Sequence, residues 1–246
     1  MSKIFTNNYP LINLYKKMSI KSEIVTQIIF GESFSIIKKG NKWFKIKIKE
    51  DNYKGYIQRK KFIKYIKPTH KICSLKAKVY KFPNTKSKKF ELTFGSKIKV
   101  SHKKSEFLKF DKGWIKKKEV KKVNFKDKDI FKRIKLFKDV KYKWGGKSFK
   151  GIDCSALIQV CFNFNNKFCP RDAKDQFRFF KKDKSIKKIK KNDIIYWKGH
   201  VAAALSRDYL IHAYGPMKKT VIMKTVNTIK RIDRTAKLKV IGVKKI

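Results

Sequence analysis

No stretch of this 246-residue chain approaches the roughly 20 consecutive apolar residues that cross a bilayer, so no transmembrane segment is expected. The opening segment "MSKIFTNNYPLINLYKKMSI" lacks the apolar run and small-residue cleavage site of a secretory signal. The expected location is therefore the cytoplasm, where thiols stay reduced. Cysteine is scarce: Cys73, Cys154, Cys161 and Cys169 include no C-x-x-C pair, which argues against a structural zinc site. Acidic residues are few, 18 against 67 basic ones, for a net charge of +49. Arginine is scarcer still, at seven of those 67. Readers of bases and phosphates lean on arginine for bidentate contacts, and a binding face would cluster its charge. Here lysine runs almost evenly from Lys3 to Lys245. Specific nucleic-acid binding is not expected, whereas non-specific polyanion affinity is.

What is present is core material: 41% hydrophobic residues, with 20 Phe, ten Tyr and four Trp. In the first half, "EIVTQIIF", "SFSIIKKG", "KWFKIKIK" and "YKGYIQRK" read as short strands. A second pass follows in "AKVYKF", "KKFELTFGSKIKVSHK", "EFLKF" and "KGWIKKKEV". "IIFGESFSII" answers "LTFGSKIKV", and "YKGYIQRKKF" answers "DKGWIKKKEV", a repeat of about 55 to 60 residues with its seam near Pro68. The rhythm resembles the bacterial SH3-like domain, which implies one small β-barrel over 9–66 and a second over 68–122. From Asp127 the period changes. "DIFKRIKLFKDV" reads as a helix with Ile130, Ile134, Leu136 and Phe137 on one side. A Gly145-Gly146 turn, a second helix and a series of strands follow, giving an α+β domain over 123–246.

"GIDCSALIQVCF" places Cys154 at the start of that second helix, flanked by Asp153 and Ser155 at capping positions. Unpaired backbone N–H groups and the helix dipole favour a thiolate there, and they offer donors to a developing oxyanion. Cysteine hydrolysis also needs a base and a group to orient it. His70 and His102 lie in the barrel region and read as surface residues. His200 and His212 lie on consecutive strands. A three-residue loop at Leu205–Arg207 would pair Ala204 with Asp208 and set His200 opposite His212, both rings on one face. Tyr142, just upstream, can return over Cys154 as a further oxyanion donor. Asp153, adjacent to the nucleophile, would raise its pKa, so a substrate amine is the better use for it. Seven residues on, Cys161 falls on the apolar face and reads as core; Cys169, before Pro170, reads as a loop residue.

"YKWGGKSFKGIDCSALIQ", "CPRDAKDQ", "NDIIYWKGHVAAAL" and "YLIHAYG", in that order, closely resemble the NlpC/p60 cysteine peptidases over Asp127 to Ile246. The resemblance implies a papain-like catalytic domain preceded by two small SH3-like barrels. It also implies a Cys154–His200–His212 triad with Tyr142, and no metal or cofactor. Substrate contacts map onto Asp153, Ser155 and Asp172, and barrel residues that would hold a free N-terminal amine onto Glu32 and Tyr53. Three positions depart from the family pattern: Ala156 and Ala202 replace glycines, and Ala173 replaces a serine. Each of the first two adds one methyl. The third removes a hydroxyl available to a substrate carboxylate, which bears on specificity more than on catalysis.

The expected activity is hydrolysis of the γ-D-glutamyl–diamino acid bond of murein peptides, in the recycling of released fragments. Two alternatives stand beside it: a non-catalytic wall- or polyanion-binding protein, and an amidase or acyl hydrolase acting on another substrate.

Overall fold

A computed structural model describes residues 3–246. The chain divides into two compact units. One extends to Lys126 and takes in Lys147–Phe149; the other comprises Asp127–Gly146 and Lys150–Ile246.

In the first unit, seven antiparallel strands between Ile4 and Lys64 form one sheet. The strand Trp43–Ile48 shows why: Phe44, Ile46 and Ile48 point inward while the lysines between them stay half in water. They meet Ile12, Leu14, Ile28 and Phe34 in a core of their own. The second pass forms a five-stranded sheet (residues 76–116) and a three-stranded one built on His70–Ile72. Both contribute to a separate core around Ile72, Val79, Leu92, Phe110 and Ile115. The sequence repeat has a backbone counterpart, since Gly31 and Gly95 both take φ +80° in the turns of "FGE" and "FGS". At Gly31 a side chain would also collide with the carbonyl of Lys97. The two halves of the unit are tied together: Phe30 sits in the second core, Lys97 N–H donates to the Phe30 carbonyl, and Lys97 Nζ reaches Glu50 at 2.9 Å. His102 is exposed, but His70 is buried against the Thr69 hydroxyl at 2.9 Å, contrary to its reading as a surface residue.

The second unit departs from expectation at its start. "DIFKRIKLFKDV" forms turns and a 3₁₀ helix, Ile134–Phe137, rather than an α-helix. Phe131, Ile134, Phe137 and Val140 are buried at intervals of three, the 3₁₀ period, while Leu136 is exposed. Asp129 starts the tighter winding by accepting the Phe131 N–H at 2.9 Å. Helix α1, Cys154–Phe164, forms where expected. Two helices were not foreseen: α2, Ala173–Phe179, and α3, Thr225–Ala236. A six-stranded antiparallel sheet runs in the order Asp183–Lys184, Val240–Lys244, Ile194–Trp197, His200–Ala204, Tyr209–Tyr214, Lys219–Lys224. Helix α1 is buried along nearly its whole length and packs on the two neighbouring strands that carry His200 and His212. Among the described residues, no helix is long and apolar enough to cross a membrane.

Candidate active site

Cys154 is the first residue of α1 and is 5% exposed. The residue before it caps the helix: Asp153 Oδ1 accepts the Ala156 N–H at 2.8 Å, and Oδ2 accepts the Gly145 N–H at 2.9 Å. The same carboxylate meets Arg171, Nη1 to Oδ1 at 3.0 Å and Nη2 to Oδ2 at 2.5 Å. Ser155 completes the cluster, its hydroxyl donating to Asp153 Oδ1 at 3.2 Å and accepting from Arg171 Nη1 at 2.9 Å. Gln176, from α2, donates to the carbonyls of Ser155 and Pro170, both at 2.9 Å. A net of buried polar groups thus fixes the first turn of α1 from below. Arg171 and Gln176 received no role from the sequence, although both lie within "CPRDAKDQ". The signal was there: one of only seven arginines in a lysine-rich chain, within a motif that follows an aspartate in need of a bidentate partner.

The two histidines come together, though not as the strands were expected to pair. The hairpin pairs Ala204 with Leu210 and Ala203 with Ile211, so five residues separate the innermost paired residues rather than three. Ser206 makes the wider turn by accepting the N–H groups of Asp208 and Tyr209, each at 3.1 Å. Continued along the strands, this register sets His212 level with Ala202 and His200 two positions away. A shift of two preserves the face, and the rings meet on the diagonal. His200 Nε2 lies 2.8 Å from His212 Nδ1. Tyr214 stacks on His212 with ring centres 4.6 Å apart, and Trp197 lies 5.6 Å from His200.

The strand bearing His200 also reaches the thiol. Cys154 Sγ receives the backbone N–H of Val201 and that of Ser155. These donors and the Arg171 charge favour the thiolate, but burial and the adjacent Asp153 outweigh them and push the thiol up to about 12. The helix terminus therefore does not hold a thiolate at rest, contrary to the expectation from its dipole alone. Burial also lowers both imidazoles, His200 to about 4 and His212 to about 2, with the neighbouring His200 adding to the shift at His212. Shifts in these directions favour a neutral thiol and neutral imidazoles, and a neutral thiol calls for a base to take its proton as reaction begins.

Tyr142 is half-buried, held by its N–H to the Lys218 carbonyl at 2.8 Å and packed over Gly215. Burial holds the proton on its phenol, and the nearby Cys154 and Asp153 reinforce this, so Tyr142 remains a donor. The contacts of Asp153 and Ser155 described above are internal, to Gly145, Ala156, Arg171 and each other. Asp172 is half-buried and precedes α2 without capping it. In the other unit, Glu32 faces Lys147 Nζ at 2.6 Å with both side chains buried, and Tyr53 packs against the first core. Glu32 thus already holds an ammonium, that of Lys147. All four cysteines are buried, none in a disulfide among the described residues, and Cys169 is a loop residue turned fully inward. Among the described residues, no three His, Cys, Asp or Glu side chains converge as metal ligands would.

Residues 139–237 match the model of the NlpC/P60 family, and residues 14–62 match that of the bacterial dipeptidyl-peptidase SH3 domain. A 72-residue stretch is 39% identical to the dipeptidyl-peptidase 6 of Lysinibacillus sphaericus, covering 29% of this chain and only 27% of that protein. Over 230 residues the chain is 23% identical to the γ-D-glutamyl-L-lysine dipeptidyl-peptidase of Bacillus subtilis, covering 84% of this chain and 77% of the relative. The fold is shared with an NlpC/P60 family protein from Bacillus cereus at a TM-score of 0.83, with 18% identity and 99% of each chain covered.

Proposed function

The chain carries an NlpC/P60 domain preceded in sequence by a bacterial dipeptidyl-peptidase SH3 domain, and from that premise we propose a cysteine peptidase that hydrolyses the γ-D-glutamyl–diamino acid bond of murein peptides. One observation carries the proposal. Cys154 receives the Val201 N–H, immediately after His200, whose Nε2 is held 2.8 Å from His212 Nδ1. In this reading His200 Nδ1 takes the thiol proton as Sγ attacks the γ-carbonyl carbon. The backbone N–H of Cys154 and the Tyr142 hydroxyl receive the oxyanion. As the tetrahedral species collapses, the C–N bond breaks and His200 returns its proton to the leaving amine. Water then attacks the thioester and gives its proton to His200. The S–C bond breaks, His200 passes that proton to sulfur and restores the thiol, and the acid product leaves and ionises in water.

The name of the Bacillus subtilis relative supports the choice of bond. The reading includes no requirement for a free N-terminal amine, because the carboxylates of Glu32 and Asp153 are already paired with Lys147 and Arg171. The test is mass spectrometry of a defined muropeptide panel after incubation with wild type and with Cys154→Ala. Release of the diamino acid fragment by wild type alone is expected. An intact L-Ala-γ-D-Glu-diaminopimelate substrate, or equal cleavage by the variant, overturns the proposal.

A further inference from the structure

Both ring nitrogens of His212 are occupied: Nδ1 lies 2.8 Å from His200 Nε2, and Nε2 lies 3.5 Å from Met223 Sδ. A neutral imidazole has a single N–H, and a thioether accepts a hydrogen bond but has no proton to give. The contact with sulfur is therefore a hydrogen bond only if the His212 proton sits on Nε2. That leaves His212 Nδ1 bare, so the 2.8 Å bond must be donated by His200 Nε2–H. His200 is then neutral with its proton on Nε2 and a lone pair on Nδ1. The opposite arrangement turns the lone pair of His212 Nε2 toward the lone pairs of sulfur. It also puts the second proton on His200 Nδ1, where it blocks proton acceptance.

We infer that Met223 is a positioning residue whose thioether selects the tautomer of His212 and, through it, the base form of His200. The inference rests on the reading of His200 as the base. The fold holds the arrangement in place. On the strand Lys219–Lys224, His212 pairs with Val221, and Met223 stands two residues on, on the same face. Its side chain is half-buried against the core formed by Trp197, Ala202, Tyr214 and Val221. Tyr214, stacked within 15° of the His212 plane, keeps the ring turned with Nε2 toward sulfur. Burial keeps both imidazoles neutral, the condition under which a tautomer choice exists.

The test uses the full chain labelled with ¹⁵N-histidine. Two-bond proton–nitrogen correlations read which nitrogen of each ring is protonated, and kcat and KM are measured on the muropeptide. Wild type should show Nε2–H on both His200 and His212. Met223→Leu conserves volume but removes the acceptor. It should give mixed tautomers and a kcat about three- to tenfold lower, the worth of one ordinary hydrogen bond, with KM little changed. Met223→Gln, whose amide oxygen can accept the same proton, should recover most of the loss. A Nδ1–H signal on His212 in wild type overturns the inference, as does a Met223→Leu protein with unchanged tautomers and kcat. If Met223→Leu fails to fold, the wild-type spectrum decides by itself. Wild type that shows the stated tautomers but cleaves no muropeptide defeats the proposed function and leaves the tautomer selection standing. Cleavage with reversed tautomers does the converse.

Discussion

Arg171 closes on Asp153 as a two-pronged pair, Nη1 to Oδ1 at 3.0 Å and Nη2 to Oδ2 at 2.5 Å, with side chains 1% and 8% exposed. The carboxylate is also the cap of α1, so the pair anchors the turn that presents Cys154. Removing the guanidinium would strand a buried charge, a cost of about 3–5 kcal/mol. Arg171→Met should lower the urea midpoint accordingly, and Asp153→Asn in that background should regain part of the loss. Ser155→Ala, which removes one hydroxyl, should cost about 1 kcal/mol. Equal midpoints for Arg171→Met and wild type would show that the pair contributes no net stability.

The free thiol should be slow to alkylate at neutral pH. With Cys154 pushed up to about 12, the iodoacetamide rate should keep rising beyond pH 9 without an early plateau. The same shift acts on stability. Between the ordinary thiol range and pH 12 the unfolded chain has lost a proton that the folded one keeps, so stability falls as pH rises through that window. Cys154→Ala should flatten the alkaline limb of a urea-midpoint profile. A rate plateau reached below pH 7 would instead indicate a preformed thiolate–imidazolium pair.

Acid should act through the histidines. His200 and His212 are lowered from 6.5 to about 4 and about 2, so below pH 6.5 the unfolded chain binds protons that the folded chain refuses. Stability is present above that pH and declines as pH falls from 6.5 toward 4, by up to about 1.4 kcal/mol per proton and pH unit. His212→Leu should show a shallower decline. A profile of unchanged slope would mean that His212 titrates normally in the folded protein.

The helix start at Cys154 and the meeting of His200 with His212 were legible because they rest on local signals: a capped helix start, and two histidines at even spacing on consecutive strands. What was misread turned on competition between neighbouring rules. Ile134 and Phe137 fit both the α and 3₁₀ periods, and only the burial of Phe131 and the exposure of Leu136 separate them. Helix α3 escaped notice because its buried face is built on Thr225, Thr228 and Ile232, too polar to stand out. The hairpin register was missed by two because Ser206 supports a wider turn than the shortest loop would allow. The direction of the Cys154 shift was misjudged because a helix dipole is visible in sequence and burial is not.

Lys147 and Glu32 form a second buried ion pair, with side chains 0% and 3% exposed. The segment Lys147–Phe149 belongs to the first unit: Lys147 N–H donates to Gln27 at 2.9 Å, and Phe149 N–H to Thr93 at 3.2 Å. Burial raises the Glu32 carboxyl, with Glu50 and Asp51 acting in the same direction, and Lys147 is the group that opposes them. Take Lys147 away and the folded state must either keep a buried carboxylate or protonate it. Protonation becomes more costly as pH rises, because the unfolded chain releases that proton in the ordinary carboxylate range. Lys147→Met should therefore lose about 3–5 kcal/mol at pH 8 and clearly less at pH 5. Glu32→Gln added to it should restore stability and abolish the pH dependence. Urea midpoints at the two pH values read this directly. A Lys147→Met loss that is the same at both would mean that the lysine stem, rather than its charge, is what the fold requires.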